Sequence, residues 1–154
     1  MESIYDKYAD LLYRLAYANM QSKVDAEDVV HDVFIKFYEK SPKFHDEEHE
    51  KAWLVRVTIN MCRDHIRKKK YRSYVPLDEI QEMEIEDDEK LEVMGHLSEI
   101  ASNYRNVIIL HYFEGYTVNE ISKMLRISAS AVKMRLSRGR ELLKNKIEKE
   151  ENHV

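Results

Sequence analysis

Glycine, proline and cysteine are scarce in this chain, at three, two and one among 154 residues. So few turn formers cannot serve the many short strands and tight turns of a sandwich or barrel. Lys, Glu, Leu, Ile and Met, which suit helices, are plentiful. The fold class expected is all-α. The lone Cys62 excludes an internal disulfide and a cysteine-rich zinc site, and it falls inside a helical pattern as a small buried residue. No apolar run approaches a membrane span, so no membrane insertion is expected. The stretch Met1 to Lys7 lacks a cationic leader with an apolar core, which points to a cytoplasmic protein. Neither a glycine-rich phosphate loop nor a Ser/His/Asp or Cys/His set is present, so no catalysis and no cofactor are expected. His45 and His49 stand four apart among carboxylates, but metalloprotease spacing and a third fixed ligand are missing, and a metal site is not expected.

A 44% hydrophobic content is enough to build cores in one domain of common size or in two small ones. The net charge of −4 is unevenly spread. Residues 1–77 carry 14 Lys and Arg against 13 Asp and Glu, residues 78–92 carry one against nine, and residues 93–154 carry ten against seven. The acidity is therefore concentrated in Asp78 to Lys90, which follows Pro76 and has little apolar surface to bury. The simplest organisation is two small helical domains, 1–75 and 93–154, joined by an acidic linker, 76–92. Such a tether is either merely solubilising or a like-charged strap that keeps the basic faces off random DNA.

The first domain reads as three helices. Over residues 2–20, Ile4, Tyr8, Leu11, Leu12, Leu15 and Ala16 share one side. A second helix is predicted to begin at Asp25 as its cap, to point Val29, Val30, Val33, Phe34 and Phe37 inward, and to stop at Ser41-Pro42. Its outer face carries Asp28, His31, Asp32, Ile35 and Tyr38. After a polar loop, His45 to Glu50, a third helix contains Trp53, Leu54, Val57, Ile59, Met61 and Ile66 and ends in Arg67-Lys68-Lys69-Lys70-Tyr71-Arg72. Five cations in six residues exceed what a helix C-terminus needs for its dipole and fit a patch that tracks phosphates. Trp53, beside Leu54 in an apolar stripe, reads as a core anchor before a base-stacking platform.

In the second domain, residues 117–140 have the layout of a DNA-reading helix-turn-helix. Thr117 followed by Glu120 three residues on is a capping box, and Ile121, Met124 and Leu125 form the apolar stripe behind it. Ser128 caps a second helix with Val132, Leu136 and Leu143 on one face and small Ala129 and Gly139 between them. Ser130, Lys133, Met134, Ser137 and Arg138 are left pointing outward. The plain alternative is an amphipathic hairpin with a solvated cationic face. Arg and Lys can donate to guanine edges or phosphates, and Ser is short enough to let backbone approach a groove.

Asp25 to Phe34, then Ala52-Trp53-Leu54 with Asn60, Asp64 and Arg67, then Tyr104 to Val107, and the helix-turn-helix ending in Val132 to Leu143 resemble the extracytoplasmic-function group of bacterial RNA polymerase sigma factors. The likeness runs through nearly the whole chain in the family's order. It implies a dissociable subunit that directs core RNA polymerase to specific promoters and assists their opening. Asp28, His31, Asp32 and Ile35 would dock on the clamp of the largest catalytic subunit. Lys43, Phe44, His45, Asn60, Asp64, Arg67 and Lys68 would hold the downstream promoter element, including its opened strand. Lys133, Met134, Ser137 and Arg138 would approach base edges of the upstream element as duplex, with Arg135 and Arg140 nearest phosphates and Ser130 also in the contact set. An anti-sigma factor is the further partner the resemblance implies.

The chain departs from the family pattern at several positions. Ile100-Ala101 replaces Leu-Pro, Arg126 stands where Gly is frequent in the turn, Ala131 where Thr is usual, His31 where Gln is common, and Gly139 where Ala is usual. Arg126 is expected either to adopt a left-handed backbone or to alter the turn. Gly139 is expected to loosen the recognition helix by about 1 kcal/mol. Two other functions stay open on the residues. A free-standing helix-turn-helix regulator would grip duplex DNA without polymerase, and a sigma-like adaptor would bind polymerase without initiating.

Overall fold

A computed structural model describes residues 2–71, 93 and 95–151, with backbone alone at 69–71. The predicted linker, 76–92, lies wholly outside the described residues, as does Arg72. The chain divides into two compact units, Met1–Glu86 and Asp87–Val154, and every described element is helical.

The first unit holds three helices, α1 (Ile4–Met20), α2 (Lys23–Lys40) and α3 (Glu47–Tyr71). Ser3 caps α1 by accepting from the Asp6 N–H at 3.1 Å. The cap of α2 is Ser22, whose hydroxyl accepts from the Asp25 N–H, so the cap lies three residues before the expected Asp25. Asp and Ser cap equally well, and the left-handed Gln21 just ahead leaves Ser22 extended and free to turn in. At the other end Ser41 takes a left-handed conformation before Pro42, which stops α2 as expected. The expected loop over His45 to Glu50 is shorter than predicted, because Asp46 accepts from the His49 N–H at 2.9 Å and starts α3 at Glu47. Glu47, Glu48 and Glu50 in that first turn suit the positive end of the helix dipole.

Leu12, Leu15 and Ala16 of α1, Val29 and Val33 of α2, and Leu54 and Val55 of α3 are wholly buried together, each large one contributing about 1.5–3 kcal/mol. Cys62 is buried among them. Two buried polar groups stay satisfied within their own helices: the Thr58 hydroxyl donates to the Leu54 carbonyl and the Asn19 amide to that of Leu15. The Tyr8 hydroxyl donates to Glu50 at 2.8 Å, and Lys7 pairs with Glu47, which ties α1 to the start of α3.

In the second unit a helical turn through 95–97 leads to α4 (Ser102–Ile108), which runs on as a π-helical segment, Ile109–Phe113. Gly115, at φ 76°, then allows the reversal into α5 (Val118–Leu125), and α6 (Ala129–Glu151) follows. Leu97, Val107, Leu110, Ile121 and Val132 are wholly buried, with Leu136 nearly so. Arg105 is buried and donates to the carbonyls of Ser98 and Ile100, so a guanidinium braces the bend that leads into α4. At the far end of α6, Glu150 lies 2.6 Å from Nε2 of the buried His96, and Lys146 pairs with Glu99.

Candidate nucleic-acid and polymerase interfaces

The two helices of the helix-turn-helix, α5 and α6, carry the start signals their sequence promises. Thr117 accepts from the Glu120 N–H while Glu120 accepts from that of Thr117, a complete capping box. Ser128 accepts from the Ala131 N–H at 3.0 Å and caps α6. Between them Arg126 takes the left-handed conformation, at φ 58° and ψ 45°, and the turn is kept without glycine. The Ser122 hydroxyl donates to the Ile127 carbonyl at 2.6 Å and stiffens the connection. With Val132, Leu136 and Gly139 buried, α6 turns Ser130, Lys133, Met134, Ser137, Arg138 and Arg140 to solvent; Arg135 is half-buried. Met134 is 65% exposed, an apolar group left on a cationic face. Arg138 donates to Glu141 at 3.2 Å, and Arg140 donates to the Tyr112 hydroxyl.

Gly139 requires a correction. A Cβ at this position would lie 2.6 Å from Cδ1 of the buried Ile108 and 3.4 Å from Cβ of Tyr104. Glycine here is what lets α4 lie close against α6, so its effect is packing as well as loosening.

In the first unit, Asn60, Asp64, Arg67 and Lys68 are exposed at spacings of four, three and one along α3, which places them on one face. Lys43 and His45 are exposed, and the His45 ring rests on that of His49 with 5.5 Å between centroids. Phe44 is half-buried and stacks on Phe37, and both rings contact Trp53 at about 6 Å, so Phe44 belongs to an aromatic cluster at the end of α2. Trp53 is half-buried and packs on Phe37 and Phe44 within that cluster, outside the buried core expected for it. Side chains of Lys69, Lys70 and Tyr71 lie outside the described residues.

On α2, Asp28 and His31 are exposed and Ile35 is 41% exposed. Asp32 is half-buried, with its carboxylate 3.5 Å from the His65 ring of α3. Asp28 and His31 also border an open groove of about 530 Å³ between α1 and α2, where Asp10, Tyr13 and Glu27 join them. Burial first, then the charge of Glu27, hold the Tyr13 phenol above its ordinary range, so it stays protonated beside these carboxylates. Asp10 and Tyr13 escaped sequence reading because a helix pattern marks which residues face out, not which neighbouring helix they face. Tyr112, half-exposed on the π-helical segment, escaped it as well.

The sequence matches the sigma-70 region 2 family over residues 4–72 and the sigma-70 region 4 family over residues 91–143. Among its relatives, the RNA polymerase sigma factor SigZ of Bacillus subtilis is 30% identical over 155 residues, covering 96% of this chain and 87% of SigZ. The ECF RNA polymerase sigma factor SigW of the same organism is 28% identical over 166 residues, covering 94% and 87%. Two solved structures share the fold. The sigma factor RpoE, co-crystallised with the anti-sigma factor NepR from Bartonella quintana, has a TM-score of 0.69 at 19% identity, covering 94% of this chain and 98% of that one. CnrH, in complex with the cytosolic domain of CnrY, has a TM-score of 0.68 at 22% identity, covering 94% and 85%. The chain belongs to the RNA polymerase sigma factors, in their extracytoplasmic-function group.

Proposed function

We propose that the two units of this sigma factor divide the work of promoter-directed initiation. The unit spanning 1–75 binds core RNA polymerase and holds the downstream promoter element as it opens. The unit spanning 93–154 reads the upstream element as duplex, and residues 76–92 connect the two. The observation that carries this reading is the pair of outward faces on separate units: the acidic and apolar edge of α2, and the cationic face of α6.

The first edge is Asp28, His31, Asp32 and Ile35, and it suits a basic helix of the polymerase clamp. Because Asp32 leans on His65, Asp28, His31 and Ile35 are the members most open to a partner. Downstream DNA meets Lys43, Phe44, His45, Asn60, Asp64, Arg67 and Lys68, with Phe44 shaping its loop from within the aromatic cluster. Upstream bases meet Lys133, Met134, Ser137 and Arg138, Arg135 and Arg140 take phosphates, and Ser130 lies on the same DNA-facing side. The pairing of Arg138 with Glu141 is exposed and weak, so a guanine edge can displace it.

The relatives named above as bound to an anti-sigma factor or to a cytosolic domain lead us to assign this chain such an inhibitory partner too. No described helix is long and apolar enough to cross a membrane, and we place the protein in the cytoplasm with its polymerase. Sigma factors act without catalysis of their own, and we extend that to this chain. In vitro transcription with core polymerase over a random promoter library, with and without this protein, tests the whole reading. A defined subset of promoters should fire only when the protein is present, and an unchanged transcript pool would refute the assignment.

A further inference from the structure

We propose that Tyr112 and Arg140 together form a receptor for one phosphate of duplex DNA, in which Tyr112 aims the guanidinium and adds its own hydroxyl proton to the grip. The proposal rests on the reading that α6 enters promoter duplex. Arg140 lies seven residues past Lys133 and three past Ser137, on the same line of α6 and about 10 Å further along its axis. Residues near the start of such a helix reach bases, so Arg140 falls where the helix climbs out of the groove past the backbone.

Its Nη1 donates to the Tyr112 Oη at 2.5 Å. One N–H is thereby used, leaving four of the five guanidinium donors, and the phenol has accepted a bond while its own O–H remains to be given. Both groups thus offer donors side by side, which suits the acceptor-only oxygens of a phosphate. Among the described residues no carboxylate pairs with Arg140, in contrast to Arg138, which Glu141 holds at 3.2 Å.

The Tyr112 ring is backed rather than free. His111 packs edge-on against it with 4.8 Å between centroids, and His111 Nδ1 donates to the Tyr116 carbonyl at 2.8 Å. The wider turn of the π-helical segment, closed by the Glu114 N–H on the Ile109 carbonyl, shifts the register of residues 109–113 and leaves Tyr112 half-exposed toward α6 while Ile109 and Leu110 are buried. Tyr112 therefore meets the requirements of both a contact and a positioning residue.

The test is promoter binding by the full chain assembled with core RNA polymerase, comparing wild type, Tyr112→Phe, Arg140→Ala, the double variant and Lys133→Ala across a salt series. Tyr112→Phe should weaken binding about 3- to 10-fold, by the same factor on promoters altered in the upstream bases, with no change in thermal midpoint. Arg140→Ala should lower the slope of log affinity on log salt by about one, and adding Tyr112→Phe to it should change little. Tyr112→Phe binding like wild type, or losing as much affinity when Arg140 is already Ala, would overturn the proposal. A silent Tyr112→Phe beside a clear loss with Lys133→Ala would sink the phosphate receptor alone. A wild-type assembly indifferent to the upstream element would sink the reading beneath it as well.

Discussion

Gly139 and Ile108 set how closely α4 and α6 approach, and they do so through a single missing methyl group. Ala at 139 would gain about 1 kcal/mol of intrinsic helix propensity. It would also press on the Ile108 side chain, which is only 2% exposed, at a cost of about 1–3 kcal/mol. Gly139→Ala should therefore destabilise the chain, and Ile108→Val, which deletes the contacting Cδ1, should cost about 0.5–1.5 kcal/mol alone. In urea unfolding the double variant should be more stable than the sum of the two losses by about 1 kcal/mol; strict additivity would disprove the contact. Arg126 is the opposite case. It holds a left-handed backbone that glycine adopts without steric cost, offset by glycine's freer unfolded chain. Arg126→Gly should raise stability by about 0.5 kcal/mol, read as a higher urea midpoint at unchanged slope.

At the scale of the element, starts and stops decide how the helices are aimed. The Asp46 carboxyl is held below the ordinary carboxylate range, chiefly by the His49 N–H it accepts, which outweighs the opposing effect of burial, and to a lesser degree by the His49 ring. A carboxyl depressed in the fold stabilises above its unfolded pKa and loses that contribution as pH falls through its folded value. The first turn of α3 should accordingly fray only when pH falls below the ordinary carboxylate range, seen as faster exchange of the His49 amide; Asp46→Ala should show the fast exchange already at neutral pH. The capping box at Thr117 and Glu120, the cap at Ser128 and the stop at Ser41-Pro42 were legible in the residues because each depends on neighbours three or four positions away. Ser22 and Asp46 were missed because several adjacent residues could cap equally well, and the tertiary packing of α2 and α3 chose among them. The π-helical segment has no pattern of its own in Ile109 to Phe113, and the Tyr112 contact spans 28 positions, beyond the reach of any local rule.

Across the whole molecule the separation of faces makes separable defects. Asp28→Arg with Ile35→Arg should reduce binding to core polymerase whatever the promoter, by adding charge where a cationic helix docks. Lys133→Ala with Arg138→Ala should leave polymerase binding intact and weaken promoters with a good upstream element by about 1–3 kcal/mol per lost base contact. Co-purification with core enzyme and run-off transcription distinguish the two, and identical promoter-dependent defects would show that the faces do not act apart. The free chain should hold duplex poorly, because each small unit makes few phosphate contacts and affinity arises only when polymerase fixes both at promoter spacing. The all-helical, two-unit architecture was legible in the charge distribution and periodicity, since these are averages over many residues.

The bond between His96 and Glu150 sets a limit on how short this protein can be made. The region 4 match ends at residue 143, which invites trimming there, yet α6 continues to Glu151 and closes a loop back to the residues that precede α4. A chain cut after Leu143 would strand a buried imidazole without its acceptor and lose the Lys146 link to Glu99, at a cost of about 1–3 kcal/mol. Calorimetry of the trimmed chain should report a lower melting temperature, so the tail beyond the recognised motif acts as a clasp for the DNA-facing helix.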